Sequence, residues 1–349
     1  MNEQEPAREA HESTGHPSAS QPLCNRVTAC YRRHRAATLL CALLAVLLVA
    51  VGTDLAVLLS RTERYPLAAP AQSGPAPETW LIVGTDSRED VPEGPGLPFG
   101  TVEEAGEGKR ADVLALLQTQ GSKVTVLLLP RDLIIGPSLF EEERLATSFL
   151  AGPQNTADLL CGSLGVPVHH LVTVSMAQFA SIVDSLGGID IDVAEPVQDV
   201  MAGLSLPQAG RVHLDGVTAL ALVRSRHPQV LRDGTWVTLS EAEGAHRRTL
   251  ASGLVMREVM HRLRERTRSP LAARSLAHTV AGNTGLDQDT GLPDLLGLAR
   301  AVTGAEQIDV VDVPAQVVND TFVAPPTAET YRVLEEHGYQ QAACTPAGG

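Results

Sequence analysis

At 349 residues, 44% of them apolar, the chain can build one large or two modest domains around a substantial core. Aromatics make up only 3%, so aliphatic side chains must fill that core. A formal net charge of −14 excludes a general role in holding nucleic acid, whose phosphates demand a basic surface, but leaves room for arginines gathered in one cleft.

Residues 1–35 start with a disordered composition rich in Glu, Ser, Pro and Ala, and close on a basic patch of Arg26, Arg32, Arg33 and Arg35. Residues 36–59 follow, with no charge between Ala36 and Thr53. Crossing a bilayer takes about 20 apolar residues, so this run predicts one transmembrane helix. Arginines before it set the N-terminus in the cytoplasm and the remainder outside, as a single-pass cell-membrane protein. The rival, a cleaved signal peptide, has an apolar core of only about 7–15 residues. Residues 60–78 hold Pro66, Pro70, Pro75 and Pro77, which predicts a stiff linker. Residues 79–325 form the main domain and 326–349 a C-terminal tail.

Within the main domain, strand and helix signals alternate. Trp80 to Thr85 predicts a strand, and Asp90 to Gly108 a loop. Asp112 to Gln118 and Lys123 to Leu129 flank Gln120-Gly121-Ser122 as a hairpin. Asn155 is placed as the cap of a helix ending near Leu164. A strand from Val168 to Val174 leads into a helix from Met176 to Leu186, with Ser175 as cap and Gly187 as stop. Ile189 to Val193 is a strand, Asp215 caps a helix to about Val223, a long helix covers Glu243 to Arg266, and Ile308 to Val313 is a late strand. The alternation predicts an α/β domain, a mixed central sheet flanked by helices.

Ionisable residues collect at the ends of apolar strands as Asp86-Ser87-Arg88, Arg110-Ala111-Asp112, Pro130-Arg131-Asp132 and Arg224-Ser225-Arg226. Any one such pair reads as a surface ion pair, worth about 0–1 kcal/mol. Four at element ends in one domain point instead to a phosphate site, with guanidiniums gripping oxygens and carboxylates holding a divalent cation. His169 and His170 lack metal-ligand spacing, and no Gly-x-Ser-x-Gly marks a hydrolase serine. Five cysteines include no CxxC pair. Cys161 and Cys344 are the two expected outside the membrane, where disulfides form, and are expected to pair.

The segments GTDSR, KRAD, VTVLLLPRDL and LDGVTALALVRSR, in that order, resemble the signature of the LytR–CpsA–Psr family, and GVPVHHLVTVSMAQFASIVDSLGGIDIDV resembles its strand–helix–GG–strand unit. The resemblance implies a transferase moving a glycopolymer phosphate from a polyprenyl-pyrophosphate carrier to a peptidoglycan hydroxyl. It further implies an apolar channel for the polyprenyl chain. By position, Asp86 and Asp112 match the acidic residues for Mg²⁺ (or Mn²⁺), and Arg88, Arg110, Arg131, Arg224 and Arg226 match the pyrophosphate-binding arginines. Asp132 would orient Arg131, and Asp112 doubles as the base that takes the acceptor's proton. The family's Gly-Arg and Arg-Gln pairs are replaced by Glu243-Gly244-Ala245-His246-Arg247-Arg248, which leaves open whether Arg247 and Arg248 join the site. A lipid-binding protein without turnover and a pyrophosphatase are the competing functions.

Overall fold

The computed structural model describes residues 46, 49, 52–54, 56–58, 60–72, 74–86, 108–136, 142–282, 284–316, 324–341 and 344–347. The chain divides into two compact units, Met1–Val57 and Leu58–Gly349. In the first, the described residues between 46 and 57 are helical, and Thr53 Oγ1 donates to the carbonyl of Val49 at 2.9 Å. The transmembrane expectation for 36–59 lies mostly outside the described residues, among which no helix is long and apolar enough to cross a membrane.

The second unit is built on a mixed seven-stranded sheet. Its strands are β1 (Glu63–Tyr65), β2 (Thr79–Thr85), β3 (Ala111–Gln120), β4 (Lys123–Leu129), β5 (His170–Ser175), β6 (Gly285–Asp287) and β7 (Gln307–Asp312). In space they run β1-β6-β5-β2-β3-β4-β7. β2 pairs parallel with β5, and β4 with β7, while β3 lies antiparallel to both neighbours. The β3–β4 hairpin closes with Gln120 opposite Lys123, and Gly121, at φ 61°, supplies the left-handed turn residue.

Alternation along β3 and β4 sends Leu114, Leu116, Leu127 and Leu129 to one face and Ala115, Leu117, Val126 and Leu128 to the other. Helix α1 (Pro153–Leu164) covers the first face through Leu160 and Leu164. Its cap is Gly152, and Asn155 instead donates to the Ser148 carbonyl at 2.9 Å. Helix α2 (Met176–Ser185) starts with the expected Ser175, completed as a capping box by Gln178. Helix α3 (Gly216–Arg224) is capped by Asp215. Helix α4 (Glu241–Arg266) starts two residues before its expected position because Ser240 and Glu243 form a capping box. Helices α5 (Pro270–Ala281) and α6 (Leu292–Gly304) follow, and α7 (Ala328–Glu336) lies after β7.

Residues 60–78 and 326–349 depart from the expected linker and tail. β1 hydrogen-bonds to β6 at the edge of the sheet, and Ala71–Gln72 pairs antiparallel with Cys344–Thr345. On α7, Val333 and Leu334 are buried in the main core, and Tyr339 after it is buried with its hydroxyl 3.1 Å from Thr79 Oγ1. Cys161 on α1 and Cys344 form a disulfide, with Cα atoms 5.6 Å apart across 183 residues. Gly165 permits this closure, since a Cβ there would sit 1.9 Å from the Gln340 carbonyl oxygen. The prolines of 60–78 keep the segment extended, and extended segments pair as readily as they link.

Beside the main sheet, Ile189–Val193 pairs with Gly210–Leu214, and a four-stranded sheet holds Val197–Asp199, Leu204–Leu206, Gln229–Arg232 and Thr235–Thr238. These enclose a second core of Val183, Ile189, Leu204, Leu214, Val230 and Val255. Helix α4 spans both cores, giving Val255 to this one and Met260 to the sheet.

Candidate functional site

Asp112 owes its position to a β-bulge. Gly84 pairs with Val113 but Thr85 pairs with Ala111, so Asp112 is the extra residue between them. Such a bulge takes one residue out of the pleat and re-aims its side chain. Gly84 allows it, because a Cβ there would already press within 3.1 Å of Val113 Cβ. Next to the bulge, Asp86 donates its N–H to the Arg110 carbonyl at 3.0 Å, and its Oδ1 accepts the Arg110 N–H at 2.9 Å. The Arg110 side chain is exposed.

Arg131 follows β4 after Pro130. Its Nη1 donates to Asp112 Oδ1, and its Nε lies 3.6 Å from Asp132 Oδ1, too far for a hydrogen bond, leaving that buried N–H unsatisfied. Arg226 Nη2 reaches the same Asp112 oxygen at 3.4 Å, and Arg248 Nη2 reaches Asp132 Oδ2 at 3.3 Å. Three guanidiniums thus crowd two carboxylates. Burial, and after it the positive charge of Arg226, push Arg131 down to about 10. It remains a cation at neutral pH, in surroundings that an added anion would relieve.

The residue that shapes this cluster carries no signal in the sequence. Asp199, 2% exposed, ends a strand of the four-stranded sheet. Its Oδ2 accepts from Ser225 Oγ at 2.8 Å and from the N–H groups of Arg226 and His227, both at 2.9 Å. Its Oδ1 accepts from the N–H groups of Met201 at 3.0 Å and Ala202 at 3.2 Å. The backbone leaving α3 at Arg224 is therefore pinned so that Arg226 turns toward Asp112. Gly244 completes the fit: a Cβ on it would lie 2.7 Å from the Arg226 carbonyl oxygen, so α4 approaches this segment only with glycine there.

Arg247 and Arg248, left open by the sequence, part ways. Arg248 joins the cluster, whereas Arg247 bonds to Glu195. Both line an apolar cleft of about 340 Å³ walled by Ile191, Val193, Leu204, Leu222, Leu250 and Leu254. Ser225 lines it too, so the cleft ends against the segment that carries the arginines.

Of the expected residues, Asp86, Asp112, Arg131, Asp132 and Arg226 therefore converge, and Arg248 joins them; Asp86 acts electrostatically on Arg131. Arg224 ends α3 half-buried, and Arg88 lies outside the described residues. The histidines are structural: His170 stacks on Trp80 at 4.1 Å, and His169 Nδ1 accepts the Thr79 N–H at 3.1 Å. Among the described residues no group of three or more His, Cys, Asp or Glu converges as a metal site. Magnesium asks for less, being held by one or two carboxylates with water and substrate phosphates, and Asp86 and Asp112 stand at the adjoining ends of β2 and β3.

A mixed sheet with a partly buried Arg–Asp cluster at its strand ends and an apolar cleft beside it defines an α/β protein with a cationic site. The model of the LytR_cpsA_psr family matches residues 60–341, and the chain belongs to that family. Among solved structures it is similar to a LytR-Csp2A-Psr enzyme from Actinomyces oris, at 44% identity and a TM-score of 0.72, covering 82% of this chain and 99% of that one. It is 30% identical to a probable cell wall biosynthesis protein, LcpB, of Corynebacterium glutamicum over 48% of this chain. It is 33% identical to the polyisoprenyl-teichoic acid–peptidoglycan teichoic acid transferase TagU of Bacillus subtilis over 37% of this chain. The matches span 40% and 43% of those two relatives' lengths.

Proposed function

We propose that the protein is a membrane-anchored, extracytoplasmic transferase that moves a glycopolymer phosphate from a polyprenyl-pyrophosphate to a peptidoglycan hydroxyl. The observation that carries this is the junction of the Arg131–Arg226–Arg248 cluster with the apolar cleft, one place suited to both halves of a lipid pyrophosphate. The polyprenyl chain lies along Leu222, Leu250 and Leu254, and its pyrophosphate meets the arginines at the cleft's end. Phosphoryl transfer leaves a protein mostly positioning and charge stabilisation to supply, which guanidiniums on fixed backbone provide.

The acceptor hydroxyl attacks the phosphorus that bears the glycan. The new P–O bond forms as the bridging P–O bond breaks, and polyprenyl monophosphate leaves with its charge held by Arg131 and Arg226. Asp112, re-aimed by the bulge, takes the acceptor's proton. Asp86 and Asp112 are the residues that would hold magnesium or manganese, whose chemistry is to neutralise charge on phosphate oxygens.

Purified full-length protein supplied with a polyprenyl-pyrophosphate glycan labelled in the sugar, together with peptidoglycan, should place the label on the wall polymer. It should release one polyprenyl monophosphate per label transferred. Free glycan phosphate in place of wall-bound label would make the protein a pyrophosphatase, and tight binding without either product would make it a lipid carrier. The topology is checked by protease on intact spheroplasts, which should remove the C-terminal unit and spare the N-terminal tail.

A further inference from the structure

The strands Val197–Asp199 and Leu204–Leu206 form a hairpin, with Asp199 opposite Leu204. The first two side chains of its turn, Val200 and Met201, are 76% and 70% exposed. From Val200 to Gly210 there is no charged residue, although such residues make up 19% of the chain. Turns that face water carry polar residues, so two adjacent large apolar side chains at a tip call for a covering surface. The tip is held firmly: both N–H groups on Asp199 Oδ1 belong to this turn, which fixes the backbone that carries the pair.

The body of the same hairpin belongs to the cleft, which Val197 and Leu204 line. On the cleft's other wall Leu250 and Leu254 are 45% and 40% exposed, so apolar surface continues beyond its mouth. The uncharged stretch ends at Arg211, whose side chain is 70% exposed and lies 3.6 Å from Asp190. A tip of two side chains is too small for a stable protein interface, which takes roughly 800 Å² per partner. It suffices for shallow insertion at a lipid interface, where apolar side chains enter the acyl boundary.

We propose that the Val200–Met201 turn contacts the bilayer and seats the mouth of the cleft on the lipid surface, so that a polyprenyl chain passes from membrane to cleft without crossing water. The identity of that lipid rests on the transferase reading above. The covering surface is a membrane because the tip and the stretch after it are uncharged, and because the tip crowns the hairpin whose body walls the apolar cleft.

The test uses the full chain reconstituted in phosphatidylglycerol/phosphatidylethanolamine vesicles, with the double variant Val200→Ser/Met201→Ser. A long-chain polyprenyl-pyrophosphate glycan embedded in the vesicles should be turned over about tenfold more slowly by the variant, because its polar tip no longer inserts among the acyl chains. A water-soluble farnesyl analogue should be used at a rate within about twofold of the parent, since the cleft and the arginines are untouched. Separately, Met201→Trp should add fluorescence that brominated lipids quench beyond the parent's own signal. Unchanged turnover of the embedded donor, equal loss on both donors, or an unquenched tryptophan overturns the proposal. If the parent turns over neither donor, the transferase reading fails, and the quenching measurement alone decides the hairpin.

Discussion

Around helix α1 the molecule is assembled from aliphatic burial, backbone pairing and one covalent bond, whereas around Arg131 it is assembled from charge. In the first region Leu160, Leu164, Val333 and Tyr339 pack into one core, and the Cys161–Cys344 disulfide ties the C-terminal strand to α1. In the second, a buried guanidinium keeps an unsatisfied N–H and sits beside two other cations. Burying charge with incomplete pairing costs stability, so the second region is tolerated only because the first supplies it. The contrast assigns stability to one region and activity to the other, and substitutions should separate the two.

The largest effect belongs to the charged region. Asp112→Ala or Arg131→Ala should lower transfer by about 100–1,000-fold, the scale for removing one preorganised charge-stabilising group. Melting temperature should move by only a few degrees in Arg131→Ala, which relieves the crowding of cations, and further in Asp112→Ala, which leaves Arg131 and Arg226 without their shared carboxylate. A large loss of stability with activity retained would erase the contrast. Next, Cys161→Ser/Cys344→Ser should destabilise the fold by about 2–4 kcal/mol. The rate per folded molecule should stay unchanged, as read from chemical denaturation beside transfer assays below the melting point. A fall in that rate at full folding would mean the staple also shapes the site.

How far these regions are legible follows from the reach of the interactions that define them. Ser175 and Asp215 bond to groups three residues away, and both are the caps that the sequence predicts. The strand Ile189–Val193 matches its expected bounds because apolar alternation is local. Asp199 is different: Ser225, Arg226 and His227 lie 26–28 residues from it, and no periodicity marks it. The bulge at Asp112 is a property of pairing with β2 and has no spelling within β3. Ala71–Gln72 and Cys344–Thr345 are two-residue strands, too short to alternate, so their segments read as linker and tail. Helices α5 and α6 do leave signals, Ser269-Pro270 and Leu292-Pro293, with proline in the first turn.

A smaller effect sharpens the comparison from within the site. Asp199→Asn keeps the shape but turns one acceptor oxygen into an NH₂ facing N–H groups. Arg226 should then lose its fixed backbone while Arg131 and Asp112 stay in place. The expected result is about a tenfold rise in KM for the lipid donor with a smaller change in kcat, since the variant disturbs the positioning of a binding cation and leaves the chemical step alone. Asp199→Glu, which keeps the charge, should recover part of the affinity. Equal effects of both variants on melting temperature, with KM unmoved, would make Asp199 purely structural.

The smallest effect tests the crowding itself. Arg131 is held down to about 10 by burial and by Arg226. A cation whose pKa is lowered on folding is destabilising while charged, and that penalty fades as pH rises through about 10. Bound pyrophosphate acts in the opposite direction, stabilising the cation and raising its pKa. Affinity for a non-reactive polyprenyl-pyrophosphate analogue should therefore be flat near neutrality and fall as pH climbs past about 10. The same titration on Arg226→Gln should move the fall to higher pH, because the second-largest cause of the depression has gone. Calorimetric binding at a series of alkaline pH values, with circular dichroism to confirm folding at each, makes the measurement. An alkaline limb that stays put in Arg226→Gln would mean that burial alone sets Arg131, and that its neighbour is a separate contact rather than part of one charged cluster.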